Sequence, residues 1–221
     1  MNHSKHNYHH VESEVKTNVT YDNKKVSIKL EDNIGAPPVL VLQHEQEMHF
    51  IIVSNDLDRY YHLHPEKKQQ GLYVVNQDLN DGTYQAFVDI ESENKGYQVT
   101  PNTLQVGTSE TSKANLERMD DWTKERDGKI VTLDDVDARI EEEVPLVFDT
   151  YGEKPNPYLG ALGHVVIVDE YVEQYIHVHP ATDNTTTFNA HFSRPGMYKI
   201  WAEFKFGDNV NVYPFVIEVK E

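Results

Sequence analysis

The chain contains no cysteine. Disulfides, thiolate metal sites and a cysteine nucleophile are excluded, and thiols reveal nothing about redox compartment. No apolar run approaches the roughly 18 residues that a bilayer span needs, and no signal-peptide core is present. Positive charge is also short. Lys and Arg number 20 against 37 Asp and Glu, a formal net charge of −17 over 221 residues. Nucleic acid and anionic membrane surfaces would repel such a chain, whereas cations, or plain solubility, suit it. A Gly-rich phosphate loop and a G-x-S-x-G elbow are missing as well. A metal-dependent hydrolase would want a carboxylate beside its histidines, and Glu47 is matched in the second half of the chain by Leu162. A non-enzymatic role is therefore expected.

What the chain does have is histidine, 12 in all, and a repeat that organises six of the eight outside the polar start. His3, His6, His9 and His10 lie in residues 1–10, too polar to fold alone. These ten residues read as a disordered tail, a metal-catching segment, or the head of a mature exported chain. His49, His62 and His64 then recur as His164, His177 and His179 at a constant offset of 115 residues. A second segment repeats in the same order. Gly82-Thr83-Tyr84 with Phe87 and Asp89 matches Gly196-Met197-Tyr198 with Trp201 and Glu203, offset by 114. Two matching segments in one order indicate duplication.

Period-two alternation, as in Lys25–Leu30 and Met197–Phe206, marks half-buried strands, and turn residues punctuate them regularly. About seven strands in each half predict an all-β protein of two tandem immunoglobulin-like antiparallel β-sandwich domains. We place the first domain at 11–108 and the second at 129–221. Residues 109–128 form a linker or short helix, since Leu116, Met119 and Trp122 recur at spacing three. Asp134, Asp135 and Asp137 lack the glycine and closing glutamate of an EF-hand in register, so that stretch reads as a solvated loop.

The hairpin register follows from the pattern. Pairing Met48–Ser54 with Arg59–His64 around Asp56-Leu57 sets His62 opposite Ile51 and His49 opposite His64. All three histidines then share one face with Tyr60, and Phe50, Ile52, Tyr61 and Leu63 form the other, core-facing side. The second copy sets His164, His177, His179 and Tyr175 on one face and Val165, Ile167, Ile176 and Val178 on the other. A one-residue slip would bury the histidines in both cores, so the register is well specified. Three imidazoles so placed can converge on one Zn²⁺ or Cu²⁺ at about 2.0–2.1 Å per nitrogen, leaving a fourth position open. His44, Glu45, Glu47, Asp89, Glu203 and His191 are candidates for a further ligand or for supporting hydrogen bonds. The other reading is that the histidines are hydrogen-bonded polar structure that rigidifies each hairpin.

His44 to Glu66 carries H-E-x-x-M-H followed by H-x-H-P-E, and Pro157 to Pro180 carries P-Y-L-G-A-x-G-H-x-V-I followed by H-V-H-P. From about Lys25 onward, the chain resembles a group of exported bacterial proteins with immunoglobulin-like domains, similar to small copper-resistance and YtkA-like β-sandwich proteins. The resemblance implies an extracellular or cell-envelope location. It also implies a copper or zinc ion as partner, at His49, His62 and His64 and at His164, His177 and His179. Two other roles stay open on the residues. One is a structural or adhesive tandem sandwich that presents loops to a protein partner. The other is an enzyme or a ligand-binding site in the cleft between the domains, using Tyr60, Tyr175 and Trp201.

Overall fold

The computed structural model describes residues 13–178, 180, 182 and 184–221. Residues 1–10 and His179 lie outside that set. The first domain runs β1 (Val15–Asp22), β2 (Lys25–Asp32), β3 (Leu40–Val41), β4 (His49–Ser54), β5 (Tyr60–Leu63), β6 (Glu66–Gln69), β7 (Leu72–Asn76), β8 (Gly82–Asp89), β9 (Glu91–Ser92) and β10 (Asn102–Val106). One sheet has the order β1-β2-β7-β6 and faces another of order β10-β8-β4-β5. Alternation in β2 sends Val26, Ile28 and Leu30 inward, where they meet Phe50, Ile52, Tyr84, Ala86 and Val88 from the second sheet. The prolines at 37 and 38 hold the chain at an edge, and only the two-residue β3 forms beyond them, paired with β9.

The second domain runs β11 (Thr123–Arg126), β12 (Lys129–Leu133), β13 (Ala138–Arg139), β14 (Glu143–Asp149), β15 (His164–Asp169), β16 (Tyr175–Val178), β17 (Thr187–His191), β18 (Gly196–Phe206) and β19 (Asn209–Lys220). Its sheets are β11-β12-β14-β17 and β13-β19-β18-β15-β16. Leu146, Phe148, Phe188, Phe204 and Phe215 fill the space between them. The protein is thus all-β, two tandem immunoglobulin-like sandwiches. Each has a tyrosine corner at the repeated Gly-x-Tyr segment. Tyr84 donates its hydroxyl to the Asn80 carbonyl at 2.9 Å, and Tyr198 donates to the Arg194 carbonyl at 2.9 Å.

Both hairpins adopt the expected register. Phe50 pairs with Leu63 and Ile51 with His62; Val165 pairs with Val178 and Val166 with His177. Of the two readings open for residues 109–128, linker or short helix, the helix does not form, and no helix occurs among the described residues. Spacing of three was a false guide because the apolar residues serve two different cores. Ala114 and Leu116 pack against the junction between the domains, while Met119 and Trp122 pack on the second domain's core. A helix would have turned them all to one side. The chain crosses instead as an extended strap, tied by Ala114 N–H to the Asn55 carbonyl at 3.0 Å, and enters β11 at Thr123, inside the stretch read as linker.

The His faces of the two hairpins are turned toward each other. A third apolar cluster lies between the domains, built from Ile51, Val53, Leu57 and Phe87 on one side and Val166, Val168, Val172 and Trp201 on the other. Every residue of β4 and of β15 is consequently buried, one face in its own core and one at the junction. Full burial of such side chains contributes about 1.5–3 kcal/mol each. Eight of them outweigh any polar pair at the junction, so apolar burial holds the domains together. Leu57 and Val172, at the two hairpin tips, have left-handed backbones with φ 59° in each copy. That conformation costs a bulky residue about 1–3 kcal/mol, offset here by driving both side chains into the junction.

Tyr198→Phe removes one corner hydrogen bond and nothing else. It is expected to destabilise the protein by about 1 kcal/mol, read as a lower urea midpoint with an unchanged circular dichroism spectrum.

Candidate metal centre

His49 opens β4, and His62 and His64 flank the end of β5, so the period-two geometry alone brings their rings to one side. His49 Nδ1 lies 3.1 Å from His62 Nε2 and 3.3 Å from His64 Nε2. The ligand nitrogens of all three residues fall within 4.8 Å of one another. Two nitrogens bound tetrahedrally to one ion at 2.0–2.1 Å stand about 3.3 Å apart, so the spacing fits.

The far sides of the rings fix their tautomers. His62 Nδ1 donates to Glu203 Oε2 at 2.7 Å, and His49 Nε2 donates to the Gln43 carbonyl at 3.2 Å. A carbonyl only accepts, so His49 Nε2 carries the hydrogen. Glu203 is held below the usual carboxylate range: burial pushes it up, but the adjacent His62, His164 and Tyr60 more than reverse this. It too is an acceptor. In neutral rings, His49 Nδ1 and His62 Nε2 therefore direct lone pairs at each other. Their contact requires a cation, either a proton carried on His62 or a metal ion. Ligating histidines are commonly anchored in this way, by carboxylate on one ring and backbone carbonyl on another.

The second copy repeats the anchoring. His164 Nε2 donates to the Tyr158 carbonyl at 3.0 Å, and His177 Nδ1 donates to Asp89 Oδ2 at 2.8 Å. Gln43 and Tyr158 are themselves related by the offset of 115. His164 is fully buried, and the His177 side chain is 4% exposed. The third expected member, His179, is outside the described residues.

The carboxylates cross over. Asp89 pairs with His49 on the sheet of its own domain yet hydrogen-bonds His177 of the other; Glu203 pairs with His164 yet bonds His62. Tyr175 adds its hydroxyl to Asp89 at 3.0 Å. Tyr60 stacks on Trp201 with centroids 4.7 Å apart, and Tyr175 on Phe87 at 4.9 Å. The interface is a pseudo-twofold in which each residue meets the counterpart of its partner. The aromatics proposed for a ligand cleft are thus packed on one another. The two His sets adjoin: the His49 and His177 centroids are 5.0 Å apart, as close as His49 and His64 at 5.1 Å.

Other candidates lie elsewhere. Glu47 accepts from Tyr73 at 2.7 Å and from Lys67 at 3.0 Å, and His191 sits 3.8 Å from Glu143 on the surface. Asp89 and Glu203, candidates from sequence for supporting hydrogen bonds, do make them, but the repeat gives no sign that each serves the other domain's ring. The carbonyls of Gln43 and Tyr158 are backbone atoms, which side-chain pattern cannot report. The continuous apolar runs Phe50–Val53 and Val165–Val168 are buried on both faces.

The family model described as "Domain of unknown function (DUF8832)" matches residues 4–108 and 124–221. No curated protein matches the chain. Solved structures similar to it include the FN1–FN3 domains of chicken CNTN1, at 11% identity and TM-score 0.25, covering 93% of this chain and 66% of that one. A two-domain fibronectin type III segment of chicken tenascin is 11% identical with TM-score 0.27, covering 92% and 97%. Chicken interferon gamma receptor alpha chain is 11% identical with TM-score 0.25, covering 96% and 100%. These superpositions are loose, and the sandwich architecture rests on the strand order and cores above.

Burial is the main cause of low histidine pKa values here, reinforced at His49 by His177 and His62. His49 is lowered from 6.5 to about 2, and His64 and His164 to about 4. Unfolded, each would take up a proton near pH 6.5 that the folded state refuses. Stability from these groups is therefore complete above about pH 6.5 and falls as pH drops toward 4. The urea midpoint of metal-free protein is expected to decrease steadily from pH 7 to pH 4.5; a flat profile would contradict this.

Proposed function

The chain belongs to this family of domains of unknown function, and we propose that it is a non-enzymatic metal-binding protein that holds a copper or zinc ion on His49, His62 and His64. One observation carries the reading. One ligand nitrogen from each of His49, His62 and His64 lies within 4.8 Å of the others, with His49 Nδ1 3.1 Å from His62 Nε2 and 3.3 Å from His64 Nε2. That convergence of three imidazoles is the spacing a single metal ion uses.

The donor set suits Zn²⁺ or Cu²⁺: three imidazoles and a fourth position open on the His64 side. Thioether donors that would favour Cu⁺ are lacking there, since Met48 is buried in the first domain's core. His62 bonded to Glu203 and His49 bonded to Gln43 orient two of the three rings and raise their basicity as ligands. The resemblance to exported proteins supports a place outside the cytoplasm or in the cell envelope. The two carboxylates beside the rings, Glu203 and Asp89, are engaged by His62 and His177, which supports ring-anchoring acceptors in a carrier, buffer or sensor of metal over a catalytic base.

The competing reading keeps the histidines as structure, with a proton on His62 paired to Glu203. Metal titration separates the two. Chain in which His3, His6, His9 and His10 are alanine is expected to bind Zn²⁺ or Cu²⁺ tighter than about 10 μM, and His64→Ala to lose that ion while remaining folded. Binding weaker than this in the parent, or binding that His64→Ala leaves intact, would reject the site. Glu203→Gln keeps a hydrogen-bond acceptor but removes the charge behind His62. It is expected to weaken metal binding by about 10–100-fold, measured by competition with a chromogenic chelator.

A further inference from the structure

The three histidines of the first hairpin are not held alike. His49 is 1% exposed, and the His62 side chain 3%. Each is anchored through its far nitrogen, His49 Nε2 on the Gln43 carbonyl and His62 Nδ1 on Glu203. His64 is half-buried. Its Nε2 faces His49 Nδ1 at 3.3 Å, and its Nδ1 has no hydrogen-bond partner among the described residues. Two rings of the triad are fixed from behind and the third is not.

The backbone accounts for the difference. Pairing between β4 and β5 ends with Phe50 opposite Leu63. His64 and Pro65 are the two residues by which the chain leaves that sheet for β6 in the other. A proline confines the residue before it to extended backbone. His64 therefore has a fixed main chain and a side chain without support on its far edge.

Space lies on both sides of that ring. A cavity of about 360 Å³ is bounded by His64 with Leu42, Glu45, Glu47, Glu66 and Tyr73. A second, of about 320 Å³, is bounded by His64 with Lys25, Lys68, Val74 and Asn76. Both volumes fall in the range of small-ligand sites. His64 lines both cavities, and neither His49 nor His62 lines either. The first cavity has three carboxylates against the single ammonium of Lys67.

We infer that the bound ion exchanges at His64 with a small neutral nitrogen donor, of the imidazole class, seated in the cavity beside Leu42 and Tyr73. This rests on the metal-binding reading and adds the route by which the site loads and empties. The incoming nitrogen places its lone pair on the open fourth position. The bond from the metal to His64 then breaks, and that ring turns into the adjoining space as a neutral imidazole. His49 and His62 keep the ion meanwhile, because their rings cannot turn without giving up the Gln43 and Glu203 hydrogen bonds. No electron moves, and the charge on the metal is unchanged. Glu45, Glu47 and Glu66 repel anionic chelators such as citrate from the same route.

The test uses the full-length chain with its four tail histidines changed to alanine, loaded with Zn²⁺. Passage of the ion to excess chromogenic chelator is followed by stopped flow, with imidazole or citrate added at equal concentrations. The release rate is expected to rise in proportion to imidazole and to respond little to citrate. Leu42 is 67% exposed, so Leu42→Trp narrows the cavity without disturbing a core. That variant is expected to slow loading and imidazole-driven release together, by about tenfold, with affinity unchanged. A release rate independent of imidazole, or loading and release both indifferent to Leu42→Trp, would overturn exchange at His64 while the proposed function stands. Equal acceleration by citrate would overturn the selection for a neutral donor. Failure of the parent to bind Zn²⁺ would remove the proposed function and this inference together.

Discussion

The crossing of two carboxylates between two domains governs the rest of the molecule. Glu203 reaches His62 and Asp89 reaches His177, each from the strand that in its own domain lies beside the other histidine. Removing an ionised carboxylate from water costs several kcal/mol even after relaxation. Neither would stay charged without its partner, at side chains 4% exposed for Glu203 and 17% for Asp89. Apolar burial brings the two sheets together; the crossed pairs decide how they are aligned. A shift of either sheet by one strand position would strand both carboxylates.

This alignment explains why the histidines are where chemistry is possible. On an isolated sandwich the His face would be a solvated surface, and the imidazoles would have water as their partner. Packed against its duplicate, the face becomes a dry wall in which each ring nitrogen needs an assigned neighbour. The anchoring nitrogens find them in Glu203, Asp89 and the carbonyls of Gln43 and Tyr158. In the first hairpin the inward nitrogens of His49, His62 and His64 face one another at 3.1–3.3 Å. Duplication followed by face-to-face packing is thus enough to turn two unremarkable His-x-His strands into a shielded nitrogen cluster.

The duplication is not perfect, and its imperfections have physical meaning. Trp201 in place of Phe87 and Glu203 in place of Asp89 keep the stacking and the charge while changing reach. Met48 fills space where Gly163 is obligatory, because a Cβ at 163 would stand 2.6 Å from the Phe204 ring and 2.7 Å from the Glu203 carbonyl. His44 in place of Leu159 gives the junction an extra imidazole on one side only. The two halves are alike in fold and unlike in what they bring to the centre.

Period-two alternation, turn residues and the offset of 115 were enough to establish the sandwiches, the duplication, the hairpin register and the set of residues on each face. These are local properties: a strand's faces are determined by neighbours two residues away, and both hairpins close over fewer than a dozen residues. At 109–128, spacing left linker and short helix open, because it cannot say that successive apolar residues will serve different cores. What covers the His faces, which carboxylate reaches which ring, and which carbonyl anchors His49 and His164 belong to tertiary structure alone. The Glu203–His62 contact joins positions 141 apart in the chain, and the Asp89–His177 contact positions 88 apart. No local pattern encodes those contacts, since they exist only once two complete sheets have docked.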